Sequence, residues 1–344
     1  PNMSHKNLSV KIKIPKFLRD KLKHKEVDLL YKRFQKSLNI NENFGVAVSG
    51  GPDSLALAFL AKIYSLKRKT NPKFFLVDHK LRPESTREAK AVQRILRRVS
   101  INLEILTWNG KKPKNNIQSI ARKARYQLIN DRCEKYKIKS LLVGHHQDDL
   151  IENFFIRMVR GSGLKGLVSM DKKSKIDKIN IYRPLIDQKK DDLILVSKKV
   201  FDFYIKDPSN NDEKFQRIRI RKLIKELKKD GFDTNKFLTT IKNLKYSNNV
   251  INFYVAENLR QNTFFSKKDK RLILNKSFFL KSHELVFRGL SDSLKNIGGK
   301  YYSVRGKKLD KMIYDIQNNR LFRSTLGGCI VEKVNHTIII SKEG

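Results

Sequence analysis

A turn of small and acidic residues follows directly after a short apolar run in the first part of the chain. The run "FGVAV" ends at Val48, and Ser49-Gly50-Gly51-Pro52-Asp53-Ser54 leads from it into a second apolar stretch. Two glycines let backbone N–H groups converge on an anion without hindrance from a Cβ atom, and a proline suits the first turn of a helix. The pattern predicts a phosphate-binding loop between a strand and a helix, with Ser49 and Ser54 as hydroxyl donors.

The acid in this loop needs its own explanation. Asp53 would repel a phosphate unless it holds a cation that bridges to the phosphate oxygens, so we predict a Mg²⁺ ligand here. The simpler interpretation is a tight turn in which Asp53 or Ser54 caps the helix. Neither the Walker A pattern GxxxxGK[ST] nor the Rossmann pattern GxGxxG occurs in the chain.

A second cluster of titratable residues stands in "GHHQDDLIENFF", which begins at residue 144 after another apolar run. His145 and Asp149 are four residues apart, as are Asp148 and Glu152, so on a helix these side chains would converge near its start. Two carboxylates and a hard cation would suit Mg²⁺ bound to ATP. The spacing alone leaves a transition metal open, and an ordinary acid-rich helix start is the simpler interpretation.

Two further stretches add candidate contacts for a nucleotide. Asp78 in "VDHKLRPES" follows an apolar run, where its carboxylate could reach a ribose or a metal. Arg122 and Arg125 in "ARKARY" lie three residues apart, a spacing suited to phosphate on one helix face. A basic surface stripe is the simpler interpretation of these arginines.

The candidate residues can form one site only if strands and helices bring these stretches together. In the first half of the chain, patterns typical of strands alternate with patterns typical of helices. Strands are predicted at 44–48, 74–77, 103–108 and 141–143, and helices at 55–66, 86–99, 117–136 and 148–160. The alternation predicts an α/β fold with a doubly wound parallel sheet. Ligands of such sheets bind at the carboxyl ends of the strands, where the candidate residues fall.

The second part of the chain has a different character. Lys and Asn dominate after about Gly231, and the end predicts a hairpin from Cys329–Val334 and Thr337–Ser341. We therefore expect a basic segment over 1–24, a catalytic domain over 25–230, and a smaller α+β accessory domain over 231–344.

Charge is the strongest global signal, because 75 Lys and Arg stand against 34 Asp and Glu, a formal net charge of +41. Such a field attracts polyanions, and nucleic acid is the favoured partner over an anionic membrane surface. No apolar run reaches the roughly 18 residues of a membrane span, and we see no signal peptide. Cys133 and Cys329 form no CxxC pair, which favours a reducing cytoplasm.

The glycine-rich loop resembles the PP-loop of ATP pyrophosphatases, which split ATP between its α- and β-phosphates. Together the motifs are similar to those of the tRNA(Ile)-lysidine synthetase family, and two residues depart from its pattern: Asn153 replaces a Thr and Ile218 replaces an Asn. The matching stretches are Ser49–Ser54, Val77–Ser85, Ala121–Tyr126, Gly144–Glu152, Arg160–Gly163, Arg183–Leu185, Asp207–Asn210, Arg217–Arg221 and Thr325–Val331.

The resemblance implies a reaction in which ATP adenylates the wobble cytidine of a CAU-anticodon isoleucine tRNA and L-lysine displaces AMP. It implies an adenine-nucleotide α-hydrolase-like fold, Mg²⁺ at Asp53 and Asp149, and a cytoplasmic enzyme without a membrane partner; a homodimer is left open. The expected catalytic residues are Asp53, His145, Asp149, Glu152, Arg122 and Arg125. ATP is expected at Ser49, Gly50, Gly51, Pro52, Asp53, Ser54 and Asp78, lysine at Asp148 and Glu152, and tRNA at Arg160, Arg217 and Arg221.

Two alternatives stay open at this stage. Another PP-loop tRNA-modifying enzyme, of the thiolation type, would generally need a cysteine pair. A nucleic-acid-binding protein with an inactive nucleotide site would not need His145 or the acids at 53, 149 and 152. A small-molecule PP-loop enzyme would not need so large a positive charge.

Overall fold

A computed structural model describes residues 14–110, 117–205, 212–300 and 304–344 of the chain. Its contacts divide the chain into two compact units, with the division between Thr234 and Asn235. None of the helices in these described ranges is long and apolar enough to cross a membrane.

The first unit is built on a six-stranded sheet with the strand order β3-β2-β1-β4-β6-β5. All neighbouring pairs are parallel except the β5–β6 hairpin. The strands are β1 (Gly45–Val48), β2 (Lys73–Asp78), β3 (Leu103–Thr107), β4 (Ser140–Leu142), β5 (Lys173–Ile176) and β6 (Ile179–Tyr182). The doubly wound parallel sheet predicted from the sequence is confirmed, with one antiparallel strand added at its edge.

Helices cover both faces of this sheet. The apolar face of the amphipathic helix α4 buries Ala89, Val92 and Leu96 at helical spacing, while its arginines face solvent. The helices are α1 (Lys16–Leu22), α2 (Lys25–Ser37), α3 (Pro52–Arg68), α4 (Ser85–Arg98), α5 (Ile117–Lys135), α6 (Gln147–Val159), α7 (Leu164–Leu167), α8 (Lys190–Phe201) and α9 (Gln216–Lys229). One core joins α1, α2, α3, α4 and α8 to the sheet, and a second core forms around Ile129 and Cys133 of α5.

The strand order places the candidate site. The order reverses between β1 and β4, and open parallel sheets bind ligands at such a reversal, outside the carboxyl ends of the strands. The turn after β1 begins with Ser49 and the turn after β4 contains His145 and His146. The two motifs with the richest chemistry therefore flank the reversal point.

The second unit combines helices with a five-stranded antiparallel sheet. The strand order in this sheet is β7-β8-β11-β10-β9. Its elements are α10 (Thr234–Asn262), β7 (Thr263–Ser266), β8 (Arg271–Leu274), α11 (Lys276–Phe279), α12 (His283–Gly298), α13 (Gly306–Gln317), β9 (Arg323–Leu326), β10 (Cys329–Val334) and β11 (Thr337–Lys342). The predicted terminal hairpin is confirmed as β10–β11. The sequence reasoning did not assign the β7–β8 hairpin or β9, so the sheet is larger than expected.

Gly298 tests the packing of this second unit. A Cβ atom there would overlap the backbone carbonyl oxygen of Gly327 and lie 3.2 Å from the Cys329 Sγ atom. We expect Gly298→Ala to lower the free energy of unfolding by about 1–3 kcal/mol, as overpacking does. Urea unfolding followed by circular dichroism measures this loss. Gly306→Ala is the matched control, because its nearest neighbour is the Phe287 ring at 3.8 Å, and an equal loss in both variants would contradict the packing.

Candidate active site

The loop after β1 folds around the hydroxyl of Ser54. The Ser54 Oγ atom accepts hydrogen bonds from the backbone N–H groups of Ser49 and Gly50, at 3.0 and 3.1 Å, and donates to the Gly51 carbonyl at 3.0 Å. Gly50 has a φ of 85°, a left-handed conformation that glycine adopts without strain. The Ser54 hydroxyl thus shapes the loop, and its predicted contact with ATP stays a prediction.

The start of α3 supplies the groups that could bind an anion. Gly51 is the N-cap and Pro52 the first helical residue, so the N–H groups of the first turn lack intrahelical acceptors. Gly144 in the turn after β4 approaches closely, because a Cβ atom there would lie 3.3 Å from the backbone of Asp53 and Ser54. The helix end and this turn together form a cradle suited to phosphate oxygens.

His146 joins the two motifs, and the sequence reasoning had not singled it out. It is the N-cap of α6, where its Nδ1 atom accepts from the Asp148 N–H at 3.3 Å and its own N–H donates to Asp149 at 3.0 Å. Its Nε2 atom lies 3.5 Å from the Oδ2 atoms of both Asp53 and Asp149. Burial lowers the pKa of His146, but the two carboxylates outweigh it and raise the pKa above its ordinary value.

The acids of α6 are bound by two arginines of α9. Arg217 contacts Asp149 and Glu152, both at 2.5 Å, and the Arg221 Nε atom lies 2.6 Å from the Glu152 Oε1 atom. The Glu152 side chain is only 4% exposed. These contacts do not support the expected roles of Arg217 and Arg221 on tRNA phosphates, or of Glu152 on lysine, because the charges of all three are already matched.

His145 is held by Arg183, a contact that the motif Arg183–Leu185 does not indicate by itself. The buried Arg183 donates from Nε to the His145 Nδ1 atom at 3.2 Å, and from NH1 to the Asp171 carbonyl and the Ser174 hydroxyl. Burial lowers the pKa of His145 to about 3, and the positive charge of Arg183 adds to this effect. His145 is therefore neutral at pH 7, with its proton on Nε2.

Asp78 organises its own loop at the end of β2. Its Oδ1 atom accepts from the Lys80 N–H and the Ser85 hydroxyl, and its Oδ2 atom accepts from the Thr86 hydroxyl at 2.6 Å. Burial raises the pKa of Asp78, but these hydrogen bonds outweigh it and hold the pKa below its usual value. The bonds account for both oxygens, so they give no support to the expected contact with a nucleotide.

The remaining predicted arginines lie on the surface of the first unit. Arg122 lies over the Tyr126 ring at 5.2 Å, and the Arg125 Nε atom donates to the His79 Nε2 atom at 3.4 Å. Arg160 donates to the Gln216 side chain at 2.7 Å. All three are exposed, as a phosphate contact requires. Asp207–Asn210 of the motif set lies outside the described residues.

Metal binding can be judged from the carboxylates in the described ranges. No group of three or more His, Cys, Asp or Glu side chains there is arranged to hold a metal. The Asp53 Oδ1 atom is buried and has no hydrogen-bond partner among the described residues. Mg²⁺ in nucleotide sites commonly takes one or two carboxylates and completes its shell with phosphates and water, so this one oxygen fits such an ion.

Comparison with known proteins shows which family this chain is similar to. A family model described as PP-loop domain matches residues 22–227. A tRNA(Ile)-lysidine synthase of Orientia tsutsugamushi (strain Boryong) is 36% identical over 88% of this chain and 70% of its own length. One of Wolbachia pipientis wMel is 34% identical over 92% of this chain and 75% of its own length.

A solved structure has a fold similar to that of this chain. It is the U34-tRNA thiolase NcsA from Methanococcus maripaludis with its [4Fe-4S] cluster, at a TM-score of 0.55 and 17% sequence identity. The match covers 64% of this chain and 78% of that chain, and it extends to the fold alone.

Glu152 tests the ion pairs that hold the acids. Glu152→Ala would leave Arg217 and Arg221 without this carboxylate, and removing one partner of a fully buried pair costs about 3–5 kcal/mol. We expect a smaller loss here, about 2–3 kcal/mol in the free energy of unfolding measured with urea, because both guanidinium groups are about a third exposed. Glu226→Ala removes an exposed ion pair with Lys229 and is the control; its effect should stay within about 0.5 kcal/mol. Equal losses would contradict the assignment.

Asp78 gives a pH-dependent prediction. Because its pKa is lower in the folded protein than in the unfolded chain, its ionised form stabilises the fold above the unfolded value of 3.8. That contribution is lost as the pH falls through the folded pKa. Asp78→Asn should therefore lower the free energy of unfolding at pH 7 by about 1–3 kcal/mol, and this difference should shrink toward pH 3. A difference that does not change with pH would contradict the assignment, and exposed Asp131→Asn is the control.

Proposed function

The chain belongs to the tRNA(Ile)-lysidine synthase family of PP-loop proteins, and we propose that it joins L-lysine to the wobble cytidine of an isoleucine tRNA with a CAU anticodon. The supporting observation is the identity with curated relatives over most of both chains, together with intact acids at the carboxyl ends of β1 and β4. The C2 oxygen of the cytidine attacks the α-phosphate of ATP and pyrophosphate leaves. The lysine ε-amine then bonds to C2 and AMP leaves.

The cradle at the start of α3 fits the task of holding pyrophosphate. The first-turn N–H groups and the helix dipole stabilise the negative charge that develops on the leaving group. Asp53 would hold Mg²⁺ through its unpartnered Oδ1 atom, and the ion would neutralise charge on the phosphates. Asp149 is a weaker candidate ligand, since its oxygens accept from Arg217 and the His146 N–H. Arg122 and Arg125 remain proposed phosphate contacts from the surface.

Asp148 is the acid we assign to the incoming lysine. Unlike Asp149 and Glu152, its carboxylate makes no hydrogen bond or ion pair with the described part of the chain, and it is partly exposed. A lysine side chain has a pKa of about 10.4, so it must lose a proton before it can attack. A carboxylate that binds the ammonium can also take that proton. His145 cannot take it at Nδ1, where the Arg183 N–H is bound, and it instead presents an Nε2–H donor.

The tRNA would bind through the positive charge that both units carry. Arg160 at the end of α6 is an exposed candidate for a phosphate contact. Reduced thiols at Cys133 and Cys329 agree with a cytoplasmic location. A homodimer remains open.

Thiolation is the alternative activity within the fold, and the cysteines disfavour it. Cys133 lies in the first unit and Cys329 in the second, and both are free and buried. Burial raises the pKa of Cys133 to about 12, so its thiol is not an available nucleophile at neutral pH.

Asp53 tests the first half of the reaction. With labelled lysine, ATP and tRNA transcript, the wild-type chain should release AMP and label the tRNA. Asp53→Asn should reduce AMP formation by about 10²-fold or more, because an electrostatic group at the leaving phosphates is lost. Binding of tRNA, measured by filter retention, should persist. Exposed Asp131→Asn is the control, and near wild-type turnover of Asp53→Asn would remove this residue from the mechanism.

Asp148 tests the second half. Asp148→Asn should leave adenylation of the tRNA intact and raise the lysine KM, with transfer to preformed adenylated tRNA falling by about 10²-fold. Adenylated tRNA should accumulate and be visible on a gel. If the variant instead blocks adenylation and spares lysine transfer, Asp148 belongs to the ATP site. Asp191→Asn, an acid in the first turn of α8, is the matched control.

A further inference from the structure

One face of α10 carries large side chains that the described part of the chain leaves uncovered. Tyr246, Val250, Phe253 and Tyr254 are 57, 57, 62 and 54% exposed. The last three follow Tyr246 by four, seven and eight residues, which places all four on one face of the helix. Together they extend over about 12 Å of its length. We call these four residues the α10 stripe.

The stripe has cations at both of its ends. The Lys242 Nζ atom lies over the Tyr246 ring at 5.7 Å, one turn before the stripe. Arg260 follows beyond its other end, where it pairs at 2.8 Å with Glu257, the one acid in the sequence of this helix. The second unit as a whole has 21 Lys and Arg against 8 Asp and Glu in its sequence. The partner of this face must therefore tolerate or complement a strong positive field.

A second copy of this chain fits that field poorly. Two identical basic units would bring like charges together, and the one acid of the helix, Glu257, is already paired with Arg260. An RNA supplies both complementary parts. Its phosphates match the lysines and arginines, and its unpaired bases stack on aromatic side chains, the usual pairing in single-stranded RNA recognition.

The rings also have a suitable size and arrangement. Three of the four stripe residues are aromatic, and the Phe253 and Tyr254 rings lie 5.4 Å apart at 80° to each other. Because these two rings are nearly perpendicular, they cannot both lie in one stack, so we expect the pair to stack on one unpaired base rather than on a run of bases. Aromatic side chains lose little rotational freedom on binding, so they present contact area at low entropic cost.

We infer that the α10 stripe is a stacking platform for unpaired bases of the tRNA substrate, with Lys242 beside it on a phosphate. The inference rests on the proposed function for the identity of the RNA. It assigns to this helix a contact through bases, in addition to the phosphate contacts that the net charge provides. Stacking removes apolar ring surface from water, which explains why rings stand exposed on so basic a unit.

The test compares two triple variants of the full chain. One replaces the rings of the stripe (Tyr246→Ala, Phe253→Ala and Tyr254→Ala), and alanine at exposed helix positions keeps the helix stable. The control replaces exposed rings elsewhere in the same unit (Phe264→Ala, Tyr314→Ala and Phe322→Ala), which are 67, 52 and 82% exposed. Circular dichroism checks that both variants fold, and sedimentation reports their oligomeric state.

Binding of the tRNA transcript is measured at several salt concentrations. The stripe variant should bind about 5- to 150-fold more weakly, the range for losing one stacked base, and the control should bind as the wild type does. The slope of log affinity against log salt should not change, because no charge is removed. Tyr246→Phe with Tyr254→Phe keeps the rings and should keep the affinity.

Other results would overturn the inference. Equal affinity of the stripe variant and the wild type would show that no base stacks there. A dimer in the wild type that dissociates in the stripe variant would make the stripe a contact between copies. Failure of the proposed function appears separately, as a wild-type chain that binds tRNA but transfers no lysine to it.

Discussion

Two carboxylates buried in one turn of helix are the constraint on which the catalytic unit depends. Asp149 and Glu152 would carry a large desolvation cost without partners, and the partners are Arg217 and Arg221 of α9. These arginines stand more than 60 residues later in the chain. The site can therefore form only when α9 packs against α6, which links folding of the unit to assembly of the site.

This arrangement separates acids that look equivalent in the sequence. Asp149 and Glu152 are bound by guanidinium groups and hold the helix pair together, so they position their neighbours. Asp53 keeps one buried oxygen without a partner among the described residues, and the Asp148 carboxylate makes no hydrogen bond or ion pair with them, so we propose that these two acids serve a cation and an ammonium group. His146 lies between Asp53 and Asp149 and fixes the distance between the two loops. Hydrogen bonds thus divide a dense cluster of charges into acids that hold two helices together and acids that we propose to be reactive.

Local sequence patterns predicted much of the fold. The features that they did not predict depend on contacts between residues far apart in the chain or give only a weak local signal. The alternation of strand and helix signals identified the parallel sheet, because buried strands and amphipathic helices each have a characteristic period. The β5–β6 hairpin has short strands with exposed lysines, which give a weak signal. His146 could have been suspected as an N-cap, since it stands three residues before Asp149 in a reciprocal cap. Arg217 resembled a surface cation because the sequence does not tell which acid lies opposite it.

The coupling between Glu152 and Arg221 tests the central constraint most directly. A double-mutant cycle uses Glu152→Gln, Arg221→Gln and both together, with unfolding free energy and the rate of AMP formation measured for each. Since the two side chains share an ion pair at 2.6 Å, we predict a coupling of about 1–3 kcal/mol in stability and a parallel coupling in rate. Effects that add within about 0.5 kcal/mol in both measurements would show that the two residues act independently, and would contradict this account of the site.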